Sequence, residues 1–189
     1  MLSWKSASRI FPNCEALGLL NRFLPKIDYM PHTTQTPIVL EPEYIEGFRQ
    51  IYEEKIVFNK TLGLKLVKVT PEGVEARIDM RPELVGHFAY NRIHGGVISA
   101  VLDAIGSAAV MAALAAKHMD EPPAKRLERF AKLGTIDLRV DYLRPGIGDY
   151  FTITANALRV GSRVGSSRME FCGPDGTLMS TGAAAYILS

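Results

Sequence analysis

One charged side chain interrupts the run of small and apolar residues from 95 to 116, GGVISAVLDAIGSAAVMAALAA, and it is Asp103. A carboxylate in such surroundings loses hydration and needs a compensating partner, so it is either bonded structurally or used chemically. In an apolar pocket it can activate water as a general base or attack as a nucleophile. The run opens at His94-Gly95-Gly96. Glycines at a helix start leave backbone N–H groups unshielded at the positive end of the helix dipole, which suits an anion or an oxyanion. Together the two features point to acyl transfer to water. Each also has a structural reading, a tight entry turn for the glycines and a satisfied buried carboxylate for Asp103.

The elements that must position these groups are legible in outline. The long run is predicted to be a buried core helix. It is long enough to cross a bilayer, but it is built of Ala, Gly, Ser and Val, and Asp103 near its middle would cost roughly 2.5–3.5 kcal/mol on insertion scales. Before it, EYIEGFRQIYEEK has helical spacing at Tyr44, Ile45, Phe48, Ile51 and Tyr52, and two strands are expected at 62–70 and 74–80 around Pro71-Glu72-Gly73. After it, KHMDEPPAKRLERFAKLG reads as a solvated loop with a short helix, its charge on the surface. Four more strands are expected at 136–143, 150–158, 164–171 and 177–187. In the first of them Asp137, Arg139 and Asp141 share one face, and Leu138, Val140 and Tyr142 the other. An antiparallel sheet wrapped around one helix, an α+β architecture, is the compact solution.

Bulk properties narrow the function classes. The chain has 189 residues, 47% hydrophobic, with 22 basic against 20 acidic side chains. That suits one domain with a terminal extension and gives no global reason to expect nucleic-acid binding. The whole +2 excess sits in residues 1–30, where Lys5, Arg9, Arg22 and Lys26 face Glu15 and Asp28. Two cysteines, Cys14 and Cys172, support neither a disulfide framework nor a four-thiol zinc site, and a reducing, cytoplasmic setting fits. No metal is called for. Residues 1–41 are expected to form a loosely ordered or accessory N-terminal extension, with the domain at 42–189; the first 30 make a poor signal peptide.

The segments GHFAYNRIHGGVISAVLDAIGSAA and GTIDLRVDYLRPG resemble the PaaI-like (phenylacetyl-CoA) branch of the hotdog-fold acyl-CoA thioesterases, and the likeness runs from about Tyr44 to the end. The pairing of HGG with an Asp nine positions after the His carries it. The resemblance implies a hotdog sheet around the central helix, a homodimer or dimer of dimers, and an acyl-CoA as substrate with no separate cofactor. By position Asp103 would be the catalytic carboxylate, Gly95 the main oxyanion donor, and Thr135 a hydroxyl that helps hold water. Gly96 and His94 would line the substrate site, and Arg159, Arg163 and Arg168 fall where related proteins contact CoA phosphates or face solvent. The sequence departs from the family where an Asn is common six residues before the HGG histidine. Phe88 stands there, with His87 beside it and Asn91 closer in as substitutes. A non-catalytic acyl-CoA binder and a hotdog hydratase or dehydratase are the alternatives.

Gly95 and Asp103 are eight residues apart, roughly 12 Å along a helix. They cannot both touch one thioester carbon within one chain, so joint action requires Gly95 from one subunit and Asp103 from another.

Overall fold

The computed structural model describes residues 38–189; the extension up to residue 37, with Cys14, lies outside the described residues. Chain entry is helical. Helix α1 (Pro42–Arg49) starts with proline at a position where no N–H is needed, and has Glu43 in its first turn and Arg49 in its last, both favourable to the dipole. Tyr44, Phe48 and Tyr52 recur every four residues and stack in series, with ring centroids 5.7 and 4.7 Å apart. The helical pattern expected here therefore forms, but it widens into a π-helical turn over Gln50–Lys55 and resumes as α2 (Val57–Leu62). Gly63, at φ 73°, ends α2 in the left-handed conformation that glycine adopts without strain.

Six strands form one antiparallel sheet: β1 (Lys65–Val69), β2 (Val74–Asp79), β5 (Gly134–Tyr142), β6 (Tyr150–Val160), β7 (Val164–Cys172) and β8 (Leu178–Ile187). Their spatial order is β1-β2-β6-β7-β8-β5, which leaves β5 on an edge. The strand expected from residue 62 begins only at Lys65, because Leu62 still belongs to α2. A short hairpin, β3 (Val85–His87) and β4 (Arg92–Ile93), was not foreseen and leads into the central helix α3 (Gly95–Ala116). This helix is the core of the fold. Val101, Leu102, Ile105, Ala108, Ala109 and Val110 are wholly buried against the sheet, whose inner face supplies Ile78, Phe151, Ile153, Met169 and Phe171. The arrangement is the hotdog fold, a sheet wrapped around one helix, and the run long enough to span a membrane is here the core element.

The charged segment after α3 departs from its expected role. It forms a short helix, α4 (Pro123–Glu128), but Arg126 on it is fully buried. Its guanidinium donates to the Glu41 carboxylate at 2.5 Å and lies over the Tyr44 ring, 5.0 Å from the centroid. That contact holds the Glu41 carboxyl below its usual range. A solvated surface was expected because the sequence offers Arg126 no visible partner; Glu41 is 85 positions away. Leu40 is buried too, so packing begins ahead of Pro42. Replacing Arg126 by Ala removes both packing and the charge partner, and should lower stability by roughly 1–3 kcal/mol in a denaturant titration. Arg129→Ala, which breaks the contact of one partly exposed guanidinium nitrogen with both Glu121 oxygens, should lower stability less than Arg126→Ala does.

Candidate active site

The N-terminus of α3 is closed by its own cap. His94 is extended, at φ −68° and ψ 134°, and its Nδ1 accepts the Gly96 N–H at 2.8 Å. The N–H of Gly96 is thus engaged within the chain. The Gly95 N–H has no partner among the described residues, while the Gly95 carbonyl accepts the Tyr142 hydroxyl at 2.9 Å. A Cβ at Gly95 would meet the Tyr142 ring at 3.4 Å, so the ring covers this end of the helix closely. His87 and Asn91 belong to the hairpin that feeds this end. His87 packs on the rings of Phe88 and Tyr90, at 5.9 and 5.0 Å, and Asn91 turns the chain at φ 47°. The Phe88 side chain is 91% exposed.

Asp103 sits two turns further along, half-buried. Thr135 donates its hydroxyl to the carboxylate, 3.0 Å from Oδ1 and 3.3 Å from Oδ2. Strict alternation along the strand would put Thr135 on the outer face with Asp137. The observed register avoids this: Thr135 pairs with Tyr186 and Asp137 with Ala185, so Ile136 is an unpaired bulge residue, 57% exposed. The bulge reverses the phase and turns Thr135 inward, toward the helix. Below it, the Tyr186 hydroxyl donates to the Asp103 backbone carbonyl at 3.1 Å. Burial raises the Asp103 carboxyl above its usual range, opposed by the hydroxyls of Thr135 and Tyr186.

Asp103 and Thr135 share a cavity of about 270 Å³ whose other walls include Tyr52, Ile56, Phe130 and Leu133. Sequence reasoning missed these walls, which come from the π-helical turn and the segment after α4. The polar groups there are internally bonded: Tyr52 Oη lies 3.1 Å from Ser107 Oγ, and Ser107 donates to the Ala104 carbonyl at 2.8 Å. A largely apolar cavity with one carboxylate, held by the Thr135 hydroxyl, can take an apolar acyl group and present water to its carbonyl.

The three arginines lie elsewhere. Leu158 is a second bulge residue, and after it Arg159 pairs with Ser166 on the outer face of the sheet; Arg168, paired with Asn156, points the same way. Arg163 is exposed in the β6–β7 turn. The structure thus brings Asp103 and Thr135 together. It leaves Gly95, Gly96, His94, His87 and Asn91 at the start of the helix, and it puts the sheet between Asp103 and the outward Arg159 and Arg168 of the same chain.

Comparison with known proteins identifies the family. The family model described as "Thioesterase superfamily" matches residues 90–180, a span that holds α3, Asp103 and the bulge. The medium/long-chain acyl-CoA thioesterase YigI of Salmonella typhimurium is 34% identical over 131 residues, which are 69% of this chain and 84% of that protein. This chain belongs to the thioesterase superfamily. Another relative by structure is a Shewanella oneidensis protein described as related to the same superfamily, with TM-score 0.72 and 37% identity, covering 79% of this chain and all of the other. A thioesterase family protein of Silicibacter pomeroyi, at 19% identity and TM-score 0.60 over 76% of this chain and 96% of the other, shares the fold.

For this superfamily member the Asp103 environment sets a measurable titration. Thr135→Val removes the hydroxyl that opposes burial, and should move the carboxyl further up, read by carbon NMR of Asp103 across pH. An unmoved titration would mean that the 3.0 Å contact does not persist in solution.

Proposed function

We propose that this protein hydrolyses acyl-CoA thioesters to the free acid and CoA. The observation that carries the reading is the Asp103 carboxylate, held by Thr135 and lining an apolar cavity, in a chain of the thioesterase superfamily. In the reaction Asp103 takes a proton from water as the water oxygen bonds to the thioester carbon. The carbonyl electrons move to oxygen, where the Gly95 N–H receives the charge. Collapse breaks the C–S bond, and the departing thiolate takes the proton back from Asp103. The Thr135 hydroxyl helps hold the water. CoA belongs to the substrate, and no other cofactor enters. The curated relatives named for medium and long acyl chains support an aliphatic substrate, and the apolar walls of the cavity suit one.

The site is proposed to be shared between two copies, in a homodimer or dimer of dimers in the cytoplasm. Two features support this besides the roughly 12 Å from Gly95 to Asp103 along one helix. The N-terminal half of α3 leaves a stripe of Gly96, Ser99, Ala100, Asp103 and Ala104 incompletely covered, and the edge strand β5 leaves Ile136 and Tyr142 more than half exposed. Paired about a two-fold axis, antiparallel copies of α3 bring each Gly95 toward the other's Asp103. His87 and Asn91 then lie beside the partner's carboxylate, placed to orient the thioester. The outer-face Arg159 and Arg168 and the turn residue Arg163 are left for CoA phosphates of a site on another copy.

Asp103→Asn should lower hydrolysis of decanoyl-CoA by about 100-fold or more, followed by free thiol release. Its thermal midpoint at pH 7–8 should not fall. A carboxyl whose folded pKa is raised weakens the fold as pH climbs through the interval between its unfolded and folded values, and the amide escapes that cost. Near-normal turnover would remove Asp103 from the mechanism. Sharing between copies has its own test. Gly95→Pro deletes one N–H at a helix position that tolerates proline. Mixing that inactive chain with Asp103→Asn chains should restore about a quarter of wild-type activity, because half the random dimers each regain one intact site. No recovery in subunit-exchanged mixtures would exclude a site made in trans.

A further inference from the structure

Tyr186 has a hydroxyl whose purpose is not packing. Its ring is fully buried, with the oxygen turned under α3 to donate to the Asp103 carbonyl at 3.1 Å. Burial raises the phenol, so it stays protonated and acts as a donor. In a continuous helix that carbonyl already accepts the Ser107 N–H, so the backbone does not need the extra bond. Room for the hydroxyl comes from Gly106. A Cβ there would stand 2.4 Å from Tyr186 Oη and 2.8 Å from both Met169 Sδ and Ser167 Oγ. Glycine inside a helix sacrifices roughly 0.5–1 kcal/mol against alanine. A phenylalanine at 186 would fill the same ring volume without the polar atom.

The register explains what the hydroxyl is for. Tyr186 points inward by the alternation of β8, as buried Ala184 does, and its direct partner on β5 is Thr135, which the Ile136 bulge turns to the same side. Neighbouring strands lie about 4.8 Å apart, so one rung of the ladder offers two hydroxyls to one residue of α3. Thr135 takes the carboxylate and Tyr186 the carbonyl of Asp103.

We infer that Tyr186 is a positioning residue for Asp103: its hydroxyl fixes the turn of α3 that carries the carboxylate, in register with the Thr135 hydroxyl that holds the carboxylate itself. This rests on the reading of Asp103 as the base. Both hydroxyls also favour the charged carboxylate against burial. The other titratable side chain near Asp103 among the described residues is Tyr52 on the π-helical turn, whose hydroxyl is bound to Ser107.

The test is Tyr186→Phe in the full chain, with decanoyl-CoA as substrate and kcat and KM measured across pH. We expect kcat to fall about tenfold with KM within about twofold, and the acid limb of the kcat profile to move to higher pH, which a purely structural loss would not produce. Should Tyr186→Phe fail to fold, 3-fluorotyrosine incorporated at 186 alone keeps the shape and strengthens the donor, and its acid limb should move to lower pH. An acid limb unmoved in the folded variants, or kcat within twofold of wild type in Tyr186→Phe, overturns the inference. Asp103→Asn measured alongside separates the two readings. If it abolishes turnover while the Tyr186 variants behave as wild type, only the role of Tyr186 falls; if it keeps near-normal turnover, both fall.

Discussion

A single hydrogen bond, Thr135 to Asp103, depends on a strand being one residue out of phase. Ionising a half-buried carboxylate is costly unless a donor reaches it, and the only elements that can approach the middle of a core helix are those packed on it. The sheet approaches with inward side chains alone, so an inward hydroxyl is required where β5 crosses α3. Ile136, bulged and exposed, supplies the half-turn of phase that puts Thr135 there while Asp137, Arg139 and Asp141 keep to the outer face. Without the bulge Thr135 would fall on the outer face with Asp137, Arg139 and Asp141.

The remaining structure serves that crossing. The small residues of α3 let the sheet come close, and Gly106 takes this furthest by admitting Tyr186, Met169 and Ser167 beneath the helix. At the other end of β5, Tyr142 reaches the Gly95 carbonyl, so one strand touches the helix at both of the points assigned to chemistry. The cavity beside Asp103 takes its walls from the segment before β1 and the segment between α4 and β5, and the Arg126–Glu41 pair ties the chain ahead of α1 to α4. Arg126 is wholly buried while the Glu41 side chain stays 39% exposed, so desolvation of the guanidinium offsets part of the attraction. The effect of the pair here is to fix one packing of α1 against α4, and with it the shape of the cavity.

Much of the fold was legible because it rests on periodicity. Alternation in IDLRVDYL and FTITANAL located two strands, and the apolar run located α3. The spacing of Asp103 from His94-Gly95-Gly96 marked the two chemical points. Features that depend on long-range partners were illegible. Ile136 looks like any strand residue until β8 sets the register, and Tyr186 looks like one more inward apolar side chain. Arg126, in a charged segment, gave no hint of its burial, since Glu41 meets it only in the folded chain. The π-helical turn at Gln50–Lys55 preserves the heptad-like look of a plain helix, so its widening was invisible as well.

The proposed pairing of two copies adds a constraint on the same strand. β5 frames both the Gly95 and the Asp103 ends of the site, and it is also the edge of the sheet, with unpaired backbone groups and exposed Ile136 and Tyr142. An apolar open edge invites association and is usually blunted or covered. If a second copy covers it, the bulge at Ile136 lies at the interface, so the residue that turns Thr135 toward Asp103 also shapes the contact that brings in the partner's Gly95. Interface and site would then be one structure rather than neighbours, since no change at Ile136 could alter the pairing of the chains without also altering the donor on the carboxylate.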